Sequence, residues 1–384
     1  MRGVASAWPA YTLWRGPGGL QHLKKLAGAA EIQVMCSDSG VYHGDMRSHS
    51  PTCCTFAEFL DSADPTASTS QQWGGQQVYL AQAPLRTSAP LPCSLTALQQ
   101  DVGMPPCLKG QAVSHVNLWM STSGARSSLH NDPYQNLLCV VRGRKAVTLF
   151  SPAMTPWLYP MPIWGESPNH SAVNFAAPDL QQHPLYAQAL LGKQVAVLEA
   201  GDALFIPEGW WHQIDSAGVT MAVNFWWDSP LAALAGTPAD AYCLRRLMGS
   251  LLDSRKQQLL AQVMPFHFHT AAQAGEPHGP ALDPLPLRRV LLALAEHFPR
   301  SLSVLLMHGL TPAAAELLTG RFEAADAQLV EQGMHQEQQS FYSRLYSVVD
   351  DPQQVLEVML ARKEEFAAAI CKQLIQEVLG VPYA

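Results

Sequence analysis

The sequence predicts a mainly β protein with added helices: a double-stranded β-helix, or jelly roll, with flanking N-terminal elements and an α-helical C-terminal region. Three observations predict this class. Short strand-like runs follow one another from 113 to 228 without helical periodicity between them, as in double-sheet jelly rolls. After Pro230 the spacing of apolar residues becomes helical. Apolar residues make up 48% of the 384 residues and charged residues only 14%, which suffices for a large core.

Residues 1–112 are interpreted as a mixed α/β lead-in packed on the barrel. Its helices are predicted at 18–26, 56–60 and 95–100, its edge strand at 31–36 and a further strand at 78–82. Segment 61–75, rich in Ser, Thr, Gln and Gly, is typical of a loop.

Residues 113–228 are predicted to form the jelly-roll core. Its strands are expected at 116–120, 137–141, 145–150, 194–198, 203–206 and 219–227. The Gly turn at 142–144 predicts a hairpin between the second and third of these strands. A proline-rich insertion at 151–193 is long for a compact domain, and such segments are usually functional. We therefore expect this insertion to border a substrate cleft.

Residues 229–384 are predicted to be helical. The periodic segments are 231–264, 285–298, 313–318, 322–332 and 355–379, with a break rich in Pro and Gly at about 265–284. We find no internal repeat.

Net charge and composition limit the classes of partner and the cellular location that we expect for the chain. The net charge of −7 weighs against a broad nucleic-acid or anionic-membrane surface, although a local basic groove leaves nucleic acid open. No apolar run reaches about 18 residues, so no membrane partner is expected. No apolar h-region of a secretory signal is apparent near Met1, and the eight Cys form no CxxC pair. We expect free thiols and a cytoplasmic and/or nuclear location.

The chemistry centres on one short stretch around His130 and Asp132. Side chains at i and i+2 of a strand share a face, so these two can offer a nitrogen and a carboxylate to one point. A third ligand is expected far along the chain, and His212 fits after a Gly-Asp turn and a strand. Two His and one carboxylate form the facial ligand set of non-haem Fe(II) oxygenases.

Polar residues in apolar strands predict a pocket beside this group. Lys145 shares a strand face with apolar residues, which is costly unless an anion such as a carboxylate binds it; the alternative is that it reaches solvent near the turn. Asn136, Asn224, Ser127 and Tyr79 are each weak signals that together outline a polar cavity.

The remaining histidines are expected to be unremarkable. His267 and His269 repeat the i, i+2 spacing, but they follow a proline in a loop-like break without a nearby carboxylate. Four others lie in predicted loops, where solvated or locally bonded imidazoles are the default: His43, His49, His170 and His183.

Three segments carry a family resemblance: LHNDPYQNLLCVVRGRKAVTLFSP, LEAGDALFIPEGWWHQIDS and VNFWW. Over roughly residues 2–228 the chain resembles JmjC-domain proteins, above all the small JmjC-only hydroxylases related to factor-inhibiting-HIF. The resemblance implies Fe(II), with 2-oxoglutarate as co-substrate and O2. It implies His130, Asp132 and His212 as metal ligands, and Lys145 and Tyr79 as contacts to the distal carboxylate of 2-oxoglutarate. Ser127, which stands where Thr is common, lines the pocket with Asn136 and Asn224.

The activity that the resemblance implies is hydroxylation of a protein side chain, with succinate and CO2 as co-products. The partners it implies are a protein or peptide substrate and a second copy bound through the C-terminal helices. Alternatives within the same chemistry are demethylation of N-methyl-lysine or arginine and hydroxylation of tRNA. A non-catalytic binding module would not need the three ligands and Lys145, and a cupin isomerase would need more His ligands.

Overall fold

A computed structural model describes residues 1–42, 50–64, 73, 76–88, 93–228, 240–263, 284–331 and 334–379. The chain divides into two compact units. The first is formed by Met1–Ile163 with Ser167–Arg246, and the second by Trp164–Glu166 with Leu247–Ala384. The three-part division expected from the sequence, with boundaries after 112 and 228, stays a prediction.

The first unit is built on one ten-stranded sheet. Its strands are β1 (Glu31–Ser37), β2 (Val41–Tyr42), β3 (Ser50–Thr55), β4 (Gln77–Thr87), β5 (His115–Ser121), β6 (Ala125–Ser127), β7 (Gln135–Phe150), β8 (Gln194–Glu199), β9 (Ala203–Ile206) and β10 (Trp211–Trp227). Their order is β2, β6, β10, β5, β4, β1, β3, with β7 beside β10 and with β8 and β9 beside β7. The pairings are antiparallel except that of β2 with β6.

Two long strands, β7 and β10, carry the centre of this sheet. They pair twice, 135–142 against 221–227 and 144–150 against 211–217, with a register shift on β10 between these halves. The expected hairpin at 142–144 is therefore wrong, because the chain does not reverse there. Gly143 instead takes a positive φ of +79° inside one continuous strand, which lets the two halves of β7 join β9 and β8 respectively.

Replacing Gly143 tests this junction. A Cβ at Gly143 would lie 2.6 Å from the carbonyl oxygen of Val219, in addition to the strain of the positive φ. We expect Gly143→Ala to lower the free energy of unfolding by about 2–4 kcal/mol in urea denaturation. Gly218→Ala is the matched control, since Gly218 has a φ of +69° but no atom of the described residues within 4 Å of its added Cβ. Its expected loss is about 1 kcal/mol, and equal losses would contradict the close contact.

The two faces of the sheet bury two different apolar clusters. One cluster joins strand residues such as Val141 and Phe225 to side chains of α1 (Pro9–Leu13), α2 (Gly19–Ala27) and α3 (Phe56–Asp61). The other cluster contains strand residues whose side chains point to the opposite face of the sheet, such as Val140 and Val147. Successive side chains of a strand point to opposite faces, so Lys145 lies on the second face with Val147. This second face carries the candidate site.

The N-terminal elements extend the same sheet. Helices α2 and α3 appear where they were predicted, and α3 begins with a capping box between Thr55 and Glu58. The predicted helix at 95–100 is a 3₁₀ segment, Thr96–Asp101. Strand β1 is not an edge strand as expected, because β3 pairs with one side of it and β4 with the other. The strand that covers its outer side, β3, lies in a segment that was not predicted to be extended.

The second unit is helical, as expected, whereas the insertion 151–193 of the first unit contains a short helix, α4 (Tyr186–Ala189). The elements of the second unit are α5 (Asp240–Val263, which begins in the first unit), α6 (Pro284–His297), α7 (Pro299–Val304), α8 (Pro312–Glu331), α9 (His335–Tyr346) and α10 (Pro352–Leu379). Helix α8 is continuous where two helices were predicted, because an interior glycine, Gly320, weakens a helix without ending it. Helix α9 was missed, since its first turns are polar and only its end packs in the core, through Phe341 and Leu345. Residues 231–239 and most of the predicted break, 264–283, lie outside the described residues.

Within the described ranges, no single helix is both long and apolar enough to cross a membrane. The segments Pro299–Gly309 and Pro312–Val330 meet that length and composition only when taken together, and they are bent by 119° at the break between them.

Candidate metal centre

Three side chains predicted to bind a metal lie together at the start of β10. Asp132 Oδ1 lies 3.9 Å from His130 Nε2, and Asp132 Oδ2 lies 3.5 Å from His212 Nε2. One possible ligand atom from each residue lies within 4.8 Å of the other two. Among the residues that the structure describes, no other group of three His, Cys, Asp or Glu has this geometry.

The backbone fixes the distance between the two histidines. The N–H of His130 donates to the carbonyl of His212 at 3.0 Å, and the N–H of His212 donates back at 2.7 Å. The N–H of Gly209, three residues before His212, donates to the carbonyl of Asp132 at 3.1 Å. A segment that is remote in sequence is thereby tied to both sides of the His-x-Asp stretch.

Each histidine is oriented by its other ring nitrogen. His130 Nδ1 lies 2.8 Å from the carbonyl oxygen of Ser128, and His212 Nδ1 lies 3.0 Å from that of Trp210. A carbonyl only accepts hydrogen bonds, so both Nδ1 atoms carry the proton. In the neutral rings this leaves the Nε2 lone pairs directed toward Asp132, which is the tautomer that a metal ligand needs.

The charge states also suit a cation. Burial, with a contribution from His212, lowers the pKa of His130 to about 4, so this imidazole is neutral at pH 7. Burial opposes ionisation of Asp132, but the hydrogen bond from His212 and the nearby His130 outweigh it and hold the carboxyl pKa at about 2. For His212 burial is likewise outweighed, by the bond to Asp132, which raises its pKa; this bond uses a second proton, on Nε2, which a bound metal would displace. The donor set thus combines an ionised carboxylate with two imidazoles, and it fits a divalent metal.

Lys145 is buried on the same face of the sheet, with 1% of its surface exposed. Its Nζ donates to Ser216 Oγ at 2.6 Å and lies 6.0 Å from the centroid of the Tyr79 ring. No described carboxylate pairs with it, and burial lowers its pKa to about 7. The alternative that Lys145 reaches solvent is wrong. An anionic ligand would supply the missing partner.

A row of buried amides crosses three strands beside this pocket. Asn224 Nδ2 donates to Asn136 Oδ1 at 3.2 Å, while Asn224 Oδ1 accepts from Asn117 Nδ2 at 3.2 Å and from Trp119 Nε1 at 3.0 Å. Asn136 and Asn224 were predicted. Asn117 and Trp119 were missed, although Asn117 gave the same signal as Asn224, an amide between apolar residues of a strand.

The two other predicted pocket residues lie close by. Tyr79 packs between Tyr42 and Trp119, with ring centroids 4.9 and 6.3 Å away. Ser127 Oγ accepts a hydrogen bond from the N–H of Ile214 at 3.0 Å, which ties β6 to β10 between His212 and Ser216. Ser216, the partner of Lys145, was not predicted.

The insertion 151–193 reaches the candidate metal site through His170. The His170 ring stacks on the His130 ring, with centroids 5.1 Å apart and planes 15° apart. The N–H of Asn131 donates to the carbonyl of Asn169 at 3.0 Å, so the insertion pairs with the His-x-Asp stretch at an isolated antiparallel β-bridge. His170 is bonded to Asn169 as expected of a loop histidine, yet its stacking was missed because no local pattern signals it.

The other histidines separate into two groups. His183 was expected to be solvated or locally bonded, but it is buried, with its ring 4.7 Å from that of Tyr159. His43, His49, His267 and His269 lie outside the described residues.

Comparison with known proteins adds a family match. The cupin-like domain family matches residues 1–233, more than half of the chain. This match confirms the predicted class of fold, a cupin-like jelly roll followed by C-terminal helices.

Three relatives of the chain are named as lysine-specific demethylases. The chain is 31% identical to "Lysine-specific demethylase JMJ31" of Arabidopsis thaliana over an alignment 496 positions long, which covers 96% of this chain and 89% of the relative. It is 31% identical over 231 residues to "Lysine-specific demethylase 8" of Xenopus tropicalis, covering 59% of this chain and 47% of that protein. The Danio rerio protein of the same name is 32% identical over 234 residues, which cover 59% of this chain and 52% of that protein. The chain thus matches about half the length of the frog and fish proteins.

Proposed function

The chain belongs to the cupin-like, JmjC-domain family and is a 2-oxoglutarate-dependent dioxygenase, and we propose that it removes methyl groups from N-methyl-lysine side chains of proteins. One observation carries the proposal. The His130–Asp132–His212 group occurs in a chain that is similar over 96% of its length to a protein named as a lysine-specific demethylase. The names of the relatives favour this alternative over the expected stable hydroxylation of a side chain.

In this proposal His130, Asp132 and His212 hold Fe(II). Their Nε2 and carboxylate atoms converge, and the Nδ1 bonds to backbone carbonyls keep the rings from turning. Three protein ligands leave part of the metal's coordination sphere for co-substrate and O2. When bound, Fe(II) supplies the oxidation of a C–H bond, coupled to conversion of 2-oxoglutarate and O2 into succinate and CO2.

Lys145 binds the distal carboxylate of 2-oxoglutarate in this proposal. Its ammonium, already held by Ser216, makes a charge-assisted hydrogen bond to that carboxylate. Tyr79 lies over the Lys145 amine and shields it from water, which strengthens the ion pair. Ser127 fixes β6 against β10 beside the pocket, and the amides of Asn136 and Asn224 give the pocket a polar wall. These residues bind and orient the co-substrate, so the protein contributes positioning and exclusion of water.

Hydroxylation at an N-methyl carbon leads to demethylation, because the product releases formaldehyde and leaves the amine. Hydroxylation at another side-chain carbon gives a stable alcohol. Both outcomes share the metal and co-substrate, so the position of the substrate carbon decides between them.

The test uses a panel of peptides carrying mono-, di- or trimethyl-lysine, with unmethylated and methyl-arginine peptides for comparison. We expect mass spectrometry to show loss of one CH2 unit from a methyl-lysine peptide, with formaldehyde and succinate formed in equal amounts. Gain of one oxygen on an unmethylated peptide would overturn the demethylase proposal in favour of the hydroxylase. If tRNA alone gained an oxygen, the substrate would be tRNA and not a protein.

A separate experiment tests the metal and co-substrate site. Anaerobic titration of the Fe(II)-loaded protein with 2-oxoglutarate is expected to produce the weak visible charge-transfer band of the chelate. His212→Ala should abolish this band, because the variant lacks one of three ligands. A band of unchanged intensity in the His212→Ala protein would exclude His212 as a ligand.

A further inference from the structure

Helix α5 begins with two side chains that reach the segments surrounding the candidate metal site. Tyr242 is 3% exposed, and Arg245 lies one turn later, on the same side of the helix. Both belong to the first unit, together with all three candidate ligands. Neither residue has a role in the function proposed above.

Tyr242 holds the turn that leads into His212. Its hydroxyl donates to the buried carboxylate of Glu208 at 2.7 Å. Its ring lies against Gly209, where an added Cβ would come within 2.8 Å of the ring. The N–H of Gly209 in turn donates to the carbonyl of Asp132. One side chain of α5 thus supports the backbone contact between the Asp132 segment and the His212 segment.

Arg245 holds the insertion at two points. Its Nη2 donates to the carbonyl of Met161 at 2.6 Å and to that of Pro168 at 2.7 Å. The N–H of Met161 donates to the carbonyl of His170 at 2.8 Å, so one anchored residue is bonded to His170 and the other, Pro168, lies two residues before it. A guanidinium can bridge two carbonyls in this way because its N–H groups are fixed in one plane.

The anchored segment is the one that packs on the candidate ligand. His170 stacks on the His130 ring, and Asn169 bonds the backbone of Asn131 in both directions, through its carbonyl and its Nδ2. The contacts therefore run from Arg245 through the insertion to His130, and from Tyr242 through Gly209 to Asp132 and His212.

We propose that Tyr242 and Arg245 are positioning residues that clamp the segments carrying the metal ligands, so that the start of helix α5 is part of the metal site. This inference rests on the metal-ligand assignment in the proposed function. It extends the site beyond the jelly roll to a helix that lies after the part of the chain matched by the cupin-like family, residues 1–233.

The experiment compares Arg245→Ala, Arg245→Lys and Tyr242→Phe with the control Arg246→Ala, an exposed arginine on the next residue of the same helix. The first measurement is hydrogen exchange of the metal-free proteins. Arg245→Ala should raise exchange of the Asn131 and Ser171 amides, which join the insertion to the His-x-Asp stretch, at least about tenfold, while the control leaves these amides unchanged. Unchanged exchange at both amides in Arg245→Ala would overturn the clamp.

The second measurement is Mn2+ affinity, followed by electron paramagnetic resonance of the free ion. Partners of metal ligands typically contribute about 10- to 100-fold in affinity, and we expect a loss in that range for Arg245→Ala. Arg245→Lys should recover part of it, because an ammonium also donates to carbonyls. Tyr242→Phe keeps the ring against Gly209 and should lose about tenfold or less. Wild-type affinity in both Arg245→Ala and Tyr242→Phe would contradict the proposal.

The two hypotheses fail in different ways. If the wild-type protein binds no Mn2+, the metal-ligand assignment fails, and hydrogen exchange of the metal-free proteins still decides whether the clamp exists. Should Arg245→Ala not fold, Arg245→Gln takes its place, since it keeps part of the stem and one amide donor.

Discussion

Asp132→Ala and His130→Ala are each expected to abolish the formation of succinate from 2-oxoglutarate while leaving the jelly roll folded. Each removes one of three converging donors, and the loss should exceed the roughly 10- to 100-fold typical of residues one step behind a metal ligand. The fold should survive because the strands that carry the site are held by pairing along β7 and β10. Succinate formation and thermal unfolding by circular dichroism measure the two properties separately.

The control for the carboxylate variant is Asp228→Ala, which removes an exposed Asp immediately after β10. It should retain the wild-type rate. Turnover by Asp132→Ala within about threefold of wild type, in protein assayed with a defined amount of Fe(II), would remove Asp132 from the metal site.

Lys145→Met is expected to have opposite effects on stability and on co-substrate binding. Burial lowers the pKa of Lys145 to about 7, so in the absence of a ligand the folded protein holds this amine at a cost. We expect the variant to be more stable than wild type at pH 7 by roughly 1–4 kcal/mol, measured by urea denaturation without 2-oxoglutarate. The same variant should bind 2-oxoglutarate far more weakly, because it lacks the cation that pairs with the distal carboxylate.

The pH dependence has a defined sign. The unfolded chain binds a proton at this lysine up to about pH 10.4, whereas the folded protein releases it near pH 7. Between these values the unfolded state holds more protons, so this group makes wild-type stability rise with pH, by up to about 1.4 kcal/mol per pH unit. The penalty is constant below pH 7. Relative to Lys145→Met, a wild-type stability that does not rise between pH 7 and pH 9 would show that Lys145 stays charged in the fold.

The local part of the site was predictable because its geometry is set by sequence spacing. His130 and Asp132 were expected to share the face of a strand; in the structure they lie between β6 and β7, where His130 forms isolated β-bridges and the extended spacing still brings the two side chains together. Lys145 was found because a cation between apolar residues of a strand is expensive without a partner. The structure brings these residues together with His212, while their roles toward iron and 2-oxoglutarate stay predictions.

Contacts set by the path of the chain were not predictable. His170 reaches His130 only because the insertion returns along the His-x-Asp stretch, and nothing in its neighbouring residues signals that path. The Gly143 signal had two physical solutions, a reversal of the chain or a positive φ inside one strand, and local sequence does not distinguish them. The contact of Arg245 with backbone carbonyls leaves no pattern, because any residue can supply a carbonyl.

The continuity of β10 fixes the distance between two parts of the proposed site. His212 and Ser216, the partner of Lys145, lie four residues apart on one face of this strand, a distance of about 13 Å at the usual rise. If His212 binds the metal and Lys145 the distal carboxylate, the span between the two is set by a number of strand residues and does not depend on a loop. Lengthening or shortening this stretch by one residue would also turn Ser216 to the opposite face. In the proposed function, the length of the acid that the protein accepts is therefore tied to the register of a single strand.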